Sequence, residues 1–414
     1  MQFITGATLI DGTGADPVAN ASIVVNDEGR IAEVGADVSK PSDATVLDVG
    51  GATVMPGLID AHVHMYSGKF GTNMQERALT PPSLHGYESM GNARETLEAG
   101  VTSVRDASGT PVGFRMAIEQ GIFPGPRMKL SIAALSQTGG HGDGLLPAGV
   151  RMGRPAHPAE VPDAICDGVE EVRKVVRTVL RAGADFIKMH STGGVLSPSD
   201  EPGATQFTIE EIAVMVQEAA AQGKTCMAHA QANQGIKNAV LAGVESIEHG
   251  IYLDDEVIAQ MKDRGTFLVP TLHAPRGVLK KEEERPGTVL PQSLRKTKEV
   301  LEDHTNSIRA AHEAGVKIAM GTDAAVGKHG TNAEELEYLT QIGMTPMEAI
   351  VASTKTASAC IHDAANVGTL EPGKFADLLV VEGNPLDDIT MLQDRDCLRV
   401  IMLGGVAYKD TIRG

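Results

Sequence analysis

The stretch EVPDAICDGVEEVRKVVRTVLRAGADFIKMH, residues 160–190, combines the pattern of a helix with that of a strand. Its first part places apolar residues at three- and four-residue steps, which is the spacing of one buried helix face: Ile165, Val169, Val172, Val176 and Val179. After the Ala-Gly turn, ADFIKMH has the pattern of a short buried strand. A helix that leads directly into a strand predicts one unit of an alternating α/β fold.

The same alternation recurs from about Gly57 to Ile361, where short apolar runs are separated by helical patterns. The eight predicted strands are GLIDAHVH, VTSVRD, RMKLSIAAL, ADFIKMH, KTCMAH, VESIEH, TFLVPTL and VKIAMGTD. Eight such units indicate an α/β fold of the (β/α)₈ TIM barrel type, over about 300 residues. Within it, the segment 274–292 is rich in charge, proline and glycine, and we expect it to be a mobile insert.

The two terminal regions instead alternate short apolar runs with turns. The turn NDEGR, residues 26–30, predicts a hairpin between two antiparallel strands. Neither region alone is long enough to bury a good core, so we expect the two to pair into one small antiparallel β-sandwich. The predicted division is a sandwich made of residues 1–56 and 362–414, with the barrel formed by residues 57–361.

Composition restricts the classes of partner. The formal net charge of −18, from 54 acidic and 36 basic residues, would repel a phosphate backbone or an anionic lipid surface. No apolar run approaches the ~20 residues of a membrane span, and the first residues lack the pattern of a signal peptide. We therefore expect a cytoplasmic protein that binds neither nucleic acid nor membrane, with its four scattered cysteines reduced.

Polar side chains stand where the predicted strands end, and these ends meet at the active-site face of a barrel. The residues are His62 and His64 on strand one, Lys188 on strand four, His229 on strand five, His249 on strand six and Asp323 on strand eight. His62 and His64 are two residues apart on a strand, so both side chains leave the same face and can hold one metal ion. Unrelated core histidines would not explain the joint set, which predicts a metal site. For Lys188 the alternative is a side chain whose ammonium reaches solvent at a strand edge.

The strand-end motifs of the amidohydrolase superfamily resemble five stretches of this chain: PGLIDAHVH, IKMHSTGG, MAHA, IEHG and GTDAA. The C-terminal segment with which that family completes its sandwich resembles GTLEPGKFADLLVVEGNPL. The resemblance covers nearly the whole chain. It implies two divalent metal ions, usually zinc: His62, His64 and Asp323 would hold the first, His229 and His249 the second, and a carboxylated Lys188 would bridge them. It also implies that a hydroxide shared by the metals attacks an amide-like bond, with Asp323 as the general base that returns the proton to the leaving amine.

The loop SQTGGHGDG, residues 136–144, follows strand three and contains His141. It resembles a stretch that borders the substrate site in the branch with Xaa-Pro dipeptidases and arginine or lysine carboxypeptidases, which implies that His141 binds the scissile carbonyl oxygen or a carboxylate. His190 and Tyr252 are either substrate contacts or packed neighbours. Several Xaa-Pro dipeptidase-like members have tyrosine where this chain has Gln231, so specificity for proline stays open.

These observations predict a binuclear metal-dependent amidohydrolase whose small-molecule substrate is a dipeptide or an N-acyl amino acid. One alternative is a hydrolase of a cyclic amide, as in imidazolonepropionase, or of a urea or carbamate. A second, of another class, is a non-catalytic barrel used for binding or assembly, which would be expected to have lost metal ligands. The resemblance also implies a homo-oligomer.

Overall fold

The computed structural model describes residues 1–145, 149 and 160–413. Within them the strands are β1 (Gln2–Leu9), β2 (Val18–Val25), β3 (Ile31–Gly35), β4 (Thr45–Asp48), β5 (Thr53–Pro56), β6 (Leu58–Val63), β7 (Val101–Asp106), β8 (Arg127–Leu130), β9 (Ala134–Leu135), β10 (Ile187–His190), β11 (Cys226–Ala230), β12 (Ser246–His249), β13 (Phe267–Val269), β14 (Leu378–Val381), β15 (Leu398–Leu403) and β16 (Val406–Asp410). Strands β6 to β13 alternate with helices, as the sequence predicts for the central region.

The α-helices of the described residues are α1 (Met74–Leu79), α2 (Pro82–Glu98), α3 (Val112–Glu119), α4 (Gly168–Arg181), α5 (Ile209–Ala220), α6 (Asn233–Ala242), α7 (Asp255–Arg264), α8 (His273–Glu284), α9 (Pro291–Ala314), α10 (Glu334–Gln341), α11 (Pro346–Val351) and α12 (Ala357–Cys360). A π-helical turn, Ala352–Thr356, joins α11 to α12, and a 3₁₀ helix covers Ile389–Gln393. None of these helices is long and apolar enough to cross a membrane.

The central strands form two parallel sheets that together give a TIM-barrel-like α/β arrangement. One sheet has the order β6-β7-β8 and the other β13-β12-β11-β10-β9. The segment 316–323, predicted as strand eight, lies between them, since the Leu268 N–H donates to the Lys317 carbonyl and the Ala61 N–H to the Met320 carbonyl. This segment and the residue after it make only isolated bridges, at Ile318 and Ala324, and not a regular ladder.

Positive φ angles explain why two predicted strands are irregular. The predicted third strand, RMKLSIAAL, is divided into β8 and β9 because Ile132 adopts φ 66° between them. The predicted eighth strand cannot continue its ladder because Asp323 has φ 58° and Ala325 has φ 114°. Such angles turn the backbone out of the extended conformation. The parallel strands therefore do not form one continuous closed ladder.

The terminal segments do join each other. They form an eight-stranded sheet in the order β16-β15-β14-β5-β1-β2-β3, with β4 attached to β1. Strand β5, near the N-terminus, pairs antiparallel with β14, near the C-terminus, with Pro56 opposite Leu378. The expectation of wholly antiparallel strands is wrong for β1, which pairs parallel with both β4 and β5 because the chain returns in the direction of β1 after β3. A two-layered sandwich and the predicted domain boundaries stay predictions.

The expected mobile insert, residues 274–292, is mostly helical: α8 ends at Glu284 and α9 begins at Pro291. Helix α8 is held against the loop after β6, where the Lys281 ammonium donates to the Thr72 carbonyl at 3.3 Å and the Arg285 guanidinium to the Gly71 carbonyl at 3.2 Å. The charged residues that suggested mobility thus bond the helix to a neighbouring loop, and the mobility of the insert stays a prediction.

Candidate metal centre

The strand ends bring the predicted histidines into one continuous group of rings. The distances between ring centroids are 5.5 Å for His64 and His62, 5.2 Å for His62 and His249, 4.6 Å for His249 and His229, 4.2 Å for His229 and His141, and 5.1 Å for His141 and His190. The parallel pairing of β10, β11 and β12 places His190 opposite His229 and Ala230 opposite His249, so that consecutive strands deliver their histidines at one level.

Three ligand atoms of this group lie close enough to surround a single cation. One ligand atom each from His62, His249 and Asp323 lies within 4.8 Å of the others. His64 approaches the same carboxylate, with its Nε2 3.2 Å from Asp323 Oδ1. Although Asp323 Oδ1 is buried, no residue that the structure describes makes a well-directed hydrogen bond to it. An unsatisfied buried carboxylate oxygen beside imidazole nitrogens fits a bound divalent cation.

The backbone is strained at two of these residues. His249 has φ 73° and Asp323 has φ 58°, a left-handed conformation that is costly for a residue with a Cβ atom. Neighbouring groups maintain both conformations. The Asp323 N–H donates to the His62 carbonyl at 2.7 Å, and His304 Nε2–H donates to the His249 carbonyl at 3.0 Å. The strain therefore turns both side chains at the point where their strands end.

The second ring nitrogen of His62 is oriented by a buried acid. His62 Nδ1–H donates to Glu248 Oε2 at 2.7 Å, and the other oxygen of Glu248 accepts from Arg105 at 2.9 Å and from Ser246 at 2.6 Å. This leaves the Nε2 lone pair of His62 directed toward Asp323. Glu248 is not among the predicted site residues, although a glutamate inside the apolar run VESIEH is a signal, because buried glutamates are seldom unpaired.

The other two strand-end histidines are oriented by neutral groups. His249 Nδ1 lies 2.7 Å from the Thr271 hydroxyl oxygen. His229 Nε2–H donates to the Gly193 carbonyl at 3.1 Å, so its Nδ1 keeps the lone pair. Thr271 and Gly193 belong to loops after other strands. Each of the histidines His62, His229 and His249 therefore has one nitrogen in a hydrogen bond and one available to a metal ion.

Lys188 is only 2% exposed, so its side chain does not extend over the protein surface. Among the residues that the structure describes, none accepts a hydrogen bond from its amine. Burial lowers the pKa of Lys188 to about 8, against the attraction of the Glu248 and Asp323 carboxylates. Roughly a tenth of the amine is therefore uncharged at pH 7. An unpaired, partly deprotonated amine lies at the centre of the site.

The electrostatics of the imidazoles favour metal binding. Burial, reinforced by neighbouring positive charges, lowers the pKa of His62, His229 and His249 well below the usual value. These rings are neutral at physiological pH and carry lone pairs. Burial also lowers the pKa of His64, but contact with Asp323 outweighs it and the pKa is raised. The pKa of Asp323 is lowered because contacts with His64, His62 and Lys188 outweigh burial.

His141 lies on the loop side of the group, stacked on His229 at an interplanar angle of 16°. Its Nδ1 lies 2.9 Å from Ser197 Oγ, and the Ser197 hydroxyl makes a very short contact with the Asp200 carboxylate. Since Ser197 has one proton and the carboxylate can only accept it, Nδ1–H of His141 donates to Ser197. Nε2 is therefore the ring nitrogen of His141 that stays available to a substrate, and its contact with a carbonyl oxygen or a carboxylate stays a prediction.

The remaining predicted substrate residues differ in their surroundings. His190 Nδ1–H donates to the Leu135 carbonyl at 3.2 Å, and its ring lies 5.4 Å from that of His229. Gln231 is buried, and its Oε1 has no hydrogen-bond partner among the described residues. Tyr252 packs beside a small apolar cluster, and burial, followed by the charges of Asp303 and Glu299, raises its pKa. Those acids oppose a substrate carboxylate at Tyr252, whereas Gln231 offers an unsatisfied acceptor.

Comparison with known proteins shows clear relatives. The sequence profile of the amidohydrolase family matches residues 53–407. Ochratoxinase from Aspergillus niger is 37% identical over 423 residues, an alignment that covers 99% of this chain and 87% of the relative.

Two solved structures are similar over almost their full length. A Xaa-Pro dipeptidase with methionine bound in its active site has a TM-score of 0.89 and 33% identity, with 99% of both chains covered. A prolidase complexed with N-methylphosphonate-L-proline has a TM-score of 0.91 and 34% identity, again with 99% of both chains covered. Both agree with the TIM-barrel-like arrangement of the central strands.

Proposed function

The chain belongs to the amidohydrolase family, and from that premise we propose that it is a binuclear metal-dependent enzyme that hydrolyses the amide bond of a dipeptide or an N-acyl amino acid. One observation carries the metal dependence: ligand atoms of His62, His249 and Asp323, which the proposal divides between two neighbouring ions, converge within 4.8 Å. The buried, unpaired Lys188 beside them supports a site with more than one cation.

The donor set would divide between two ions. His62, His64 and Asp323 would hold the first and His229 with His249 the second, while carboxylated Lys188 would be shared. Neutral imidazole nitrogens and carboxylate oxygens are common zinc ligands, which favours Zn²⁺. When bound, the ions lower the pKa of water and polarise the scissile carbonyl group.

Lys188 suits carboxylation because part of its amine is uncharged near neutral pH. The uncharged amine would attack the carbon of CO₂ with its nitrogen lone pair and release a proton to the solvent, so that a carbamate anion would replace the cation. This exchange would remove a buried positive charge without a hydrogen bond, which is costly in a protein interior. The carbamate oxygens would then be ligands for the divalent ions.

Asp323 would transfer the proton. Its pKa is lowered, so the carboxylate is ionised at neutral pH and able to accept a proton from the attacking water. The same carboxyl group would then donate that proton to the nitrogen of the leaving amine.

The loop side would bind the substrate. His141 would bind the scissile carbonyl oxygen or a carboxylate of the substrate, next to the stacked His229. Gln231 and His190 are further proposed contacts, and Tyr252 is the weakest of the set because acidic side chains surround it. Bound methionine in one similar structure and a proline derivative in another favour an amino acid as part of the substrate.

A substrate screen tests the proposal. The protein would be reconstituted with Zn²⁺ and bicarbonate and supplied with dipeptides, N-acyl amino acids, cyclic amides, ureas and carbamates, with amine release measured. We expect about two ions per chain and turnover of dipeptides or N-acyl amino acids. Less than one tightly bound ion per chain would contradict the binuclear site. Turnover of only ureas, carbamates or cyclic amides would contradict the substrate class, and full metal loading without turnover would favour a binding protein.

The role of Asp323 has its own test. The Asp323→Asn substitution keeps an oxygen ligand but removes the proton acceptor. The kcat should therefore fall by about 10²- to 10⁴-fold, while at least one metal ion is retained. Near-normal turnover with metal retained would contradict the general-base assignment.

A further inference from the structure

Helix α9 inserts a second fully buried lysine next to the site. Lys296 is 1% exposed, and its ammonium donates to the carbonyl groups of Gly194 at 2.8 Å, Ser197 at 2.7 Å and Asp200 at 2.8 Å. An ammonium has three N–H donors, so every donor is used. All three acceptors lie in one loop, residues 191–208, between β10 and α5.

We propose that Lys296 is a positioning residue: through these three carbonyl groups it holds the loop that orients the imidazoles of His229 and His141. The inference rests on the proposed function, because it concerns the same metal centre and substrate side. Lys296 itself makes no contact with the predicted metal ligands, and it acts through the loop backbone.

The first link leads to His229. The Gly193 carbonyl, which accepts from His229 Nε2–H at 3.1 Å, precedes the clamped Gly194 by one residue. This hydrogen bond places the ring proton on Nε2 and leaves Nδ1 as the lone pair for a metal ion. If the loop moved, the ring of His229 would lose the partner that fixes both its tautomer and its orientation.

The second link leads to His141. Ser197, whose carbonyl Lys296 holds, binds His141 Nδ1 with its hydroxyl at 2.9 Å. Gly194 makes room for the same ring, since a Cβ atom there would lie only 2.3 Å from His141 Cε1. The clamped loop therefore sets both the proton position and the location of the His141 ring.

The choice of residue supports a positioning role. Burying a charge without a paired carboxylate is unfavourable, and burial lowers the pKa of Lys296, although Asp200 and Glu201 oppose this. An apolar side chain of similar length would avoid that cost but would leave three loop carbonyls without a donor. Helix α9 also contacts the loop through the Ser293 hydroxyl, which donates to the Leu196 carbonyl at 3.2 Å, and through Val300, which shares an apolar cluster with Val195. Lys296 is the residue of α9 that binds three loop carbonyls at once.

The test uses Lys296→Met with Lys298→Met as its matched control. Lys298 lies on the same helix but is exposed. Competition with a chelator, which needs no substrate, should show Zn²⁺ binding weakened about 10- to 100-fold in Lys296→Met, the usual effect of losing a group that orients a metal ligand. Lys298→Met should bind Zn²⁺ as the wild type does. Equal zinc affinity in both variants would overturn the inference.

A double-mutant cycle separates positioning from a general loss of stability. In the Lys296→Met background, His141 is already misplaced. Adding His141→Asn there should therefore lower kcat/KM by less than about 3-fold, a smaller loss than the same change causes in the wild type. If the two substitutions lower kcat/KM independently, so that their separate losses multiply in the double variant, the link to His141 is overturned. If amide turnover is absent altogether, the zinc competition still decides the inference, so failure of the proposed function is distinguishable from failure of this one.

A second variant covers the case in which Lys296→Met does not fold. Ser197→Ala leaves the three carbonyl acceptors in place and removes only the hydroxyl that binds His141 Nδ1. It should lower kcat/KM about 10-fold, with zinc affinity unchanged. Wild-type kcat/KM in Ser197→Ala would overturn the role of the loop in orienting His141.

Discussion

Lys188 and Lys296 are the two largest fully buried side chains of the described residues, and they differ in the hydrogen bonds that their amines make. Lys296 uses each of its N–H donors on a loop carbonyl. Lys188 has no hydrogen-bond acceptor among the described residues, and burial lowers its pKa to about 8. The first is a satisfied cation that holds backbone in place. The second is an amine without a hydrogen-bond partner, and we propose that it reacts with CO₂.

The comparison shows that burial alone does not define the role of a lysine. What matters is whether the surroundings provide acceptors. Around Lys296 they are uncharged carbonyls, which stabilise an ammonium in one position. Around Lys188 the neighbouring groups are imidazoles and more distant carboxylates, so its N–H donors are unused. These surroundings suit an anion that is held by metal cations.

Activity should separate the two lysines most strongly. Lys188→Met removes the proposed bridge, so kcat/KM should fall by at least about 10³-fold, with bound zinc reduced to one ion or fewer per chain. Amine release and metal content measured on one preparation check this. Unchanged metal content would show that Lys188 is not a shared ligand.

Stability of the metal-free proteins should change in opposite directions. Lys188→Met removes an unpaired buried charge and should raise the free energy of unfolding by about 1–3 kcal/mol. Lys296→Met leaves buried carbonyls without donors and should lower it by about 2–4 kcal/mol. Urea unfolding at pH 7 measures both. Changes of the same sign would remove the distinction between a satisfied and an unsatisfied lysine.

The stability difference at Lys188 should depend on pH. Its pKa is lowered from 10.5 in the unfolded chain to about 8 in the folded protein. Between these values the unfolded state binds more protons, so the stability of the wild type rises with pH through this window. Without metal, Lys188→Met should exceed the wild type in free energy of unfolding most strongly below pH 8. This difference should shrink by as much as about 3 kcal/mol by pH 10.5. A difference that does not vary from pH 8 to 10.5 would contradict the lowered pKa.

The smallest expected effect concerns the partner of a metal ligand. Glu248→Gln keeps the shape of the side chain but weakens the hydrogen bond from His62 Nδ1 and leaves Arg105 with a weaker acceptor. Zinc affinity should fall about 10- to 100-fold. Chelator competition measures this, with Glu245→Gln, at the start of the same strand, as the control. Glu248→Gln with wild-type affinity would show that His62 needs no acidic partner.

The sequence predicted the residues that meet but not the groups that orient them. His62, His249 and Asp323 could be found because each ends a strand, and strand ends of a barrel meet whatever the helices between them contain. Glu248, Thr271 and Lys296 could not be assigned, because their partners lie on other strands and loops and no local spacing encodes them. The motif resemblance supplied the family, which the comparisons confirm.

Local backbone geometry set the second limit. Apolar periodicity located the strands of the central region but not the interruption at Ile132, where a positive φ separates β8 from β9. Charge and proline content suggested mobility for residues 274–292 but did not predict that most of them form α8, which ends at Glu284, and the start of α9. Composition does not reveal that Lys281 and Arg285 have fixed partners in a distant loop.

The pairing of β5 with β14 has a consequence for biosynthesis. Pro56 leaves the ribosome long before Leu378, its neighbour in the finished sheet. Until the last segment of the chain emerges, β5 is an open edge strand of apolar residues, the kind of surface that pairs with other chains. Closing so long a loop is also slow compared with forming the helices and strands between. The terminal sheet is therefore the part of the molecule that completes last, and the part most exposed to aggregation during synthesis.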